Sequence, residues 1–562
     1  MTWRPGTGAP PWWTAGVLAL LIGPHWLLWR DLFDGAAVAF AAATGHRDGL
    51  DMVLRNANWP VALVFHNLCL TLGELTGASY LLFVKLTLSA LLVGLYLELN
   101  RLARQLLALP PGQARLAALL ASASPVLYTL ASSQIVPLLL CVWLVFAGHR
   151  LYRGERLLHR AAGLVALVVS FQLNSNLVFA LALECVWLAR LTPALRRRRL
   201  LASAALLGSA VAVYATMRWL VPPAQLFTEY NQLLKPWHAQ DLRRIARACA
   251  MFLTWGIIPL VVVGITTAVW ALQRSPGRAL APGVRRAALA RHAPAVLIAA
   301  FLCAAAAFPY VAVGKGAPLF TLRALGDGLT EQVLRSAHTG LFAPTWANSS
   351  GRHALLFGAA VGLLAWASAR LAWAVLGGRR RPPMGAFCLA LAASLAWVLA
   401  AYYNKLQTQF AEQSLVHGLK RLPPAPPGVV EVAYRPVTDW LIWSVSAGVI
   451  LHEAWGKAPY WPSFYSVEAY RLDMQWQYHA YLLGQTGLAR PAVQHYLGAD
   501  GLPGADCISR YDAALPVFAP AQVLLAGLRP GAVPEATIGL RDTGCQPGRA
   551  LPNPSPGKKI IP

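Results

Sequence analysis

The feature that most constrains this chain is the repetition of long apolar runs separated by short arginine clusters. A run of roughly 18 or more apolar residues crosses the hydrocarbon core as a helix, because lipid offers an open backbone no hydrogen-bond partner. A soluble chain carries about a quarter charged residues, whereas this one carries 13%, with 57% hydrophobic residues and a mean hydropathy of +0.49. The expectation is a polytopic helical membrane protein. Its first run, 13–29, shows no small-residue cleavage site before Arg30 and reads as a retained span.

The arginines set the topology. Clusters fall at 101–115, 150–160, 190–199, 274–291 and 379–381. If each faces the cytoplasm, the spans between them come in pairs. They fall at 116–134 with 136–149, 161–174 with 176–190, 200–220 with 249–272, and 294–313 with 354–376. Adding 13–29, 79–99 and 385–402 predicts about eleven transmembrane helices, N-terminus inside and C-terminus outside. The run "VALVFHNLCLTLGEL", 61–75, would invert every later cluster if it spanned. It therefore reads as a re-entrant or surface helix. The net charge of +25 follows from these inner clusters, so a nucleic-acid partner is not expected. The Ala, Leu and Arg bias is that of a GC-rich bacterial genome. The expected address is a bacterial inner membrane.

This divides the chain into a membrane domain, 1–402, with outer loops 30–78, 221–247 and 314–352, and an extracytoplasmic tail, 403–562. The tail is rich in Pro and Gly and carries the alternating strand-like "VVEVAY", so it reads as a small α+β domain. Six of eight cysteines lie in or beside apolar runs. Cys507 and Cys545 are the two in the tail. In an oxidising compartment one disulfide between them is the simple expectation, and two separate thiols the alternative.

No P-loop, GxGxxG, GxSxG or HExxH occurs, and the tail histidines lack zinc spacing with its cysteines. Ionisable residues on the expected outer face remain. In "LLWRDLFDGA", Asp31 and Asp34 follow the first span and share one helical face. A carboxylate at a low-dielectric boundary can act as a general base; the plainer reading is a helix start, where acids suit the N-terminal dipole. Arg243, Arg244 and Arg247 break the positive-inside pattern. They suit either phosphate or an amphipathic helix on headgroups. Lys315, Arg352 and His353 flank another outer loop. They suit a lipid-linked phosphate or simple snorkelling. "FQLNSN", 171–176, reads as a structural turn between two short spans.

This arrangement resembles the GT-C class of polytopic membrane glycosyltransferases. "WRDLFDG" matches the acidic site that class carries after its first span, and "SGRHALL" and "TQFAEQSLVHGLKRLPPAPPGVVEV" are similar to its basic late-span start and its juxtamembrane helix leading into an outer domain. The WWD-type signature of the oligosaccharyltransferase branch is absent: "PWWTAG" lies at the first span and lacks the acid. The resemblance implies transfer of sugar from a polyprenyl-phosphate donor to a lipid, glycan or protein acceptor. Asp31 or Asp34 would be the base, the basic residues would hold the phosphate, and Mg or Mn could share the carboxylates. The alternatives are a transporter or flippase of lipid-linked sugars and a non-catalytic envelope assembly protein. A transporter needs ionisable groups well inside its spans, and few are evident.

Overall fold

The computed structural model describes residues 12–30, 36–45, 59–128, 135–220, 239–257, 282–312, 354–376, 384–424, 429–434, 444–456, 508–516 and 519–544, with a few single positions besides. The described chain is mostly helical. In order come α1 (Trp12–Ile22), α2 (Ala36–Thr44), α3 (Pro60–Thr76), α4 (Tyr80–Gln105), α5 (Pro111–Ser122) and α6 (Ile135–Tyr152). Then follow α7 (Leu157–Ser170), α8 (Asn174–Ala189), α9 (Pro193–Leu220), α10 (Ala239–Ile257), α11 (Pro282–Ala312), α12 (Leu355–Val375) and α13 (Met384–Lys420). The tail holds β1 (Val429–Tyr434), α14 (Ser444–Trp455), β2 (Ile508–Ala514), α15 (Pro520–Leu528) and β3 (Thr537–Gly544).

Among the described residues six helices, α4, α6, α9, α11, α12 and α13, are long and apolar enough to cross a membrane. Helices α3, α7 and α8 are shorter apolar helices. Two expected spans are interrupted, each at a proline. The run 13–29 forms α1 and then a 3-10 turn, Gly23–Leu27, beginning at Gly23-Pro24. The run 116–134 forms α5 and then a 3-10 turn, Pro125–Leu127. Proline lacks the N–H that a continuing helix needs and pushes the preceding residue out of the α region.

The broken helix α5 is buried in the bundle, packed against α4 and α12. Close approach there depends on two glycines a turn apart on α12. A Cβ on Gly362 would run into the Ala121 backbone, and one on Gly358 into Val126 and Ser124. Small residues at this spacing let helices approach in lipid, where packing rather than water exclusion drives association.

Helix α3 lies between α2 and α4 in the segment expected to form the first outer loop. At one end the Val61 N–H donates to Gln172 Oε1 at 3.0 Å, in the turn joining α7 to α8. The other end reverses at Gly77, which adopts φ 68°, and leads into α4, capped by Ser79. Val64, Leu68 and Leu75 are exposed along α3. The turn 171–173 is held by Asn176, whose Nδ2 donates to Cys141 O at 2.9 Å and to Ser170 O at 3.0 Å.

Helix α13 organises the rest. It starts directly after Pro382-Pro383 and ends just before Pro423-Pro424. At 37 residues and ~1.5 Å per residue it is about 55 Å long, against a hydrocarbon core of about 30 Å. It therefore crosses the expected domain boundary at 403 without a break. The end of α13 and the tail share a small core: Leu415, Val416 and Leu419 pack with Ile450 and Leu451 of α14, and with Tyr511 and Ala513 of β2. The sheet order is β1-β2-β3, β1 parallel and β3 antiparallel to β2, with a bulge at Arg510/Tyr511. Gly418 admits the chain at Ala536 against α13, where the Ala536 N–H donates to Ser414 O at 3.0 Å.

Candidate functional site

Polar side chains gather where the first helix leaves the bundle. Two acceptor bonds fix that exit: Gln409 Oε1, from α13, accepts from the N–H of Trp29 at 2.8 Å and of Arg30 at 3.1 Å. The Trp29 indole N–H donates to Ala526 O of α15 at 3.3 Å. Arg30 is buried. Its Nε donates to Glu412 Oε2 at 3.2 Å, and one terminal nitrogen donates to Gln413 Oε1 at 2.8 Å and to Glu453 Oε2 at 2.7 Å. A buried guanidinium needs such partners, since an unpaired buried charge is costly. Gln413 is oriented in turn. His417 Nδ1–H donates to Val533 O at 3.0 Å, leaving Nε2 to accept from the Gln413 amide at 2.9 Å. A chain of bonds thus runs from the tail at Val533 to Arg30.

Arg30 lines a cavity of about 450 Å³. Its walls are the helix exit at Trp29, the alanine face of α2, the end of α3 with its turn into α4, Glu412 of α13, and Val449 and Glu453 of α14. Segments far apart in the chain, from residues 29–81, α13 and α14, therefore all contribute. Among the described residues, the carboxylates of Glu74, Glu412 and Glu453 and the guanidinium of Arg30 line it. Glu74 also pairs with Arg47 at 2.5 Å. The volume suits a small polar ligand. Ionised carboxylates accept hydrogen bonds and so suit a group rich in hydroxyl donors. Among the described residues no set of three His, Cys, Asp or Glu is arranged to hold a metal ion.

A second set of polar groups lies deeper. On α13, Asn404, Lys405, Gln407, Thr408, Gln409, Glu412 and Ser414 are all buried. The Lys405 ammonium donates to Tyr128 O and stands 4.9 Å from the Tyr402 ring centre. Tyr128 closes the 3-10 turn after α5, and its hydroxyl donates to Ser122 O at 2.8 Å. A side-chain N–H donor thus meets the carbonyl end of a broken helix, where backbone acceptors lack intrahelical partners. Lys85 donates to Trp26 O at 3.1 Å, and His25 lies buried nearby. At the other end of the bundle Glu184 accepts from Ser203 Oγ at 2.5 Å and bonds His149 Nε2 at 2.9 Å. Arg153 stacks over Trp187 at 4.1 Å and approaches Glu184 at 3.6 Å.

Asp31, Asp34, Lys315, Arg352, His353, Cys507 and Cys545 lie outside the described residues. Asp31 follows Arg30 directly in the chain. Arg243, Arg244 and Arg247 belong to α10, which runs without a break from the expected outer loop into the expected span at 249. Amphipathic and apolar segments there share one helix, and Ala248, Met251, Phe252 and Trp255 of its second half are buried. Sequence reasoning missed Arg30, Glu412, Glu453 and Lys405. The available signal was "NKLQTQFAEQ", a polar run continuing an apolar helix without a helix breaker.

No protein-family profile matches this sequence, and neither a curated protein nor a solved structure matches it.

Proposed function

We propose that this membrane protein is a glycosyltransferase of the GT-C kind, working on the outer face of a bacterial inner membrane. The observation that carries the reading is the Arg30 cavity. It is a polar chamber at the mouth of the first helix, walled by the outer loop and the tail, and the chain enters it one residue before Asp31. In this reading Asp31 or Asp34 removes a proton from an acceptor hydroxyl. The oxygen forms its bond to the anomeric carbon as the bond from that carbon to the donor phosphate breaks. The electron pair leaves on the polyprenyl phosphate, and the proton stays on the carboxylate. Lys315, Arg352, His353 and the arginines at 243, 244 and 247 are the groups proposed to stabilise the leaving phosphate. Glu74 and Glu453 offer hydrogen-bond acceptors to sugar hydroxyls.

The test is sugar release from a panel of polyprenyl-phosphate sugars by purified wild type, Asp31→Ala, Asp34→Ala and Glu453→Gln, with native membrane lipids as acceptor. Turnover abolished in one Asp variant with unchanged melting supports the reading, and Mg or Mn dependence reports a shared cation. Wild-type turnover that persists in both Asp variants overturns the assignment of the base.

A transporter of lipid-linked sugars is the second reading. It is favoured by buried Lys405, Lys85, His25 and Glu184 within the bundle, since ionisable groups inside spans mark translocation paths. Counterflow of labelled lipid-linked sugar in proteoliposomes, lost in Lys405→Met but retained in Asp31→Ala, would favour it.

A further inference from the structure

We infer that α15, in the tail, is an interfacial helix whose exposed leucines enter the lipid leaflet next to the first-helix exit. This rests on the chain being a membrane protein and not on its catalytic reading. The helix "PAQVLLAGL" carries no charge. Val523 and Ala526 are buried, and Gly527 sits against Leu27 and Leu406. The opposite arc exposes Leu524 (49%), Leu525 (56%) and Leu528 (69%). At 3.6 residues per turn these three leucines fall within an arc of about 100°, so they form a coherent apolar face opposite the side that packs on the bundle.

Its neighbours identify the occupant. The Trp29 indole N–H donates to Ala526 O, and an amphipathic indole belongs at the membrane–water boundary. Trp26, about one turn before it, and Leu399, two turns below Leu406 on α13, are both exposed on the outside of the bundle. Leu399 to Leu406 is a rise of about 10 Å. The leucine face of α15 therefore continues the exposed apolar surface of the 3-10 turn after α1 and of α13, within the depth that interfacial helices occupy, about 5–10 Å. Arg529, exposed directly after Leu528, can reach headgroup phosphates as such side chains do at this level. Acyl chains fit an uncharged leucine face that joins a membrane-spanning surface.

The test uses the full chain in lipid nanodiscs. Leu525→Cys, in a background with Cys185, Cys249, Cys388, Cys507 and Cys545 each changed to Ser, is labelled with an environment-sensitive fluorophore. Leu20→Cys on α1 and Ala514→Cys on β2 serve as the lipid and water references. The expected result is a blue-shifted emission quenched by shallow doxyl lipids nearly as strongly as the Leu20 label, with iodide quenching at most a third of that at position 514. Iodide quenching equal to that at 514 overturns the proposal. So does protection from both quenchers that disappears on dilution, which would place a second copy on this face. A Leu524→Ser/Leu528→Ser variant carrying the same label should lose lipid quenching while the helical circular dichroism is kept.

Discussion

Replacing Arg30 tests whether the first-helix exit is held by charge. Arg30 and Glu412 meet at 3.2 Å, with side chains 6% and 3% exposed. Little of either side chain meets solvent. Arg30→Met leaves the Glu412 carboxylate buried without its guanidinium, and breaking such a pair costs ~3–5 kcal/mol. The Glu453 contact adds little, since Glu453 is 37% exposed and a surface pair contributes ~0–1 kcal/mol. Converting the acid as well should restore much of the loss, because an amide needs no counter-charge. The double variant Arg30→Met/Glu412→Gln should therefore be more stable than Arg30→Met alone, with a coupling of about 2–3 kcal/mol. Unfolding by SDS in mixed micelles, followed by tryptophan fluorescence, reads the three differences. A loss below about 1 kcal/mol in Arg30→Met, or a double variant no better than the sum of the singles, would refute the reasoning.

Further tests probe the helix contacts. Gly362→Val drives a side chain into the Ala121 backbone, so it should cost at least the ~1–3 kcal/mol of overpacking, seen as a lower melting point in detergent. Gln409→Leu removes the shared acceptor of two backbone N–H groups. It should cost ~1–3 kcal/mol and speed hydrogen exchange at Trp29 and Arg30, with no change at α12. Ser203→Ala removes the donor to buried Glu184 and should cost ~1.5–3 kcal/mol, the range for a bond to a charged group, in the same SDS unfolding. Lys405→Met keeps the aliphatic packing but leaves Tyr128 O without the ammonium; it should destabilise more than Lys405→Arg, whose charge persists, if that carbonyl needs a cation.

The apolar periods and the arginine clusters announced helices, and "VVEVAY" announced β1, because those signals are local. Helix ends were harder where hydropathy and helix propensity part company. The apolar run of α13 fades at Tyr402, yet Lys, Leu, Gln, Ala and Glu carry the helix on to Lys420. At α10 an amphipathic helix is one of the two readings of the arginines, and what hydropathy does not show is that this helix continues unbroken into the apolar segment. Pro24 and Pro125 lie within runs expected to span unbroken, and the breaks they make appear only in the structure; burial of the short segment α5 depends on α4 and α12 closing around it. The cavity was least legible. Arg30 and Glu412 stand 382 positions apart, and no spacing rule joins residues that meet only after the bundle has closed.

That distance itself bears on what the cavity is for. A chain with 13% charged residues has little need to bury Arg30, Glu412 and Gln409 together for stability, since buried ion pairs are often no better than apolar packing. Their effect is geometric: they hold the backbone of Trp29 and Arg30 against a stalk that also carries Glu453's partner domain. The segment that follows, beginning with Asp31, thus leaves a fixed point. Catalysis by a positioned base requires such a fixed point, because misplacement of about 1 Å can cost a hundredfold in rate. If Asp31 or Asp34 is the base, Gln409→Leu should lower turnover at saturating substrate beyond what its stability loss explains. A variant with full turnover and faster exchange at Trp29 would separate the clamp from the chemistry.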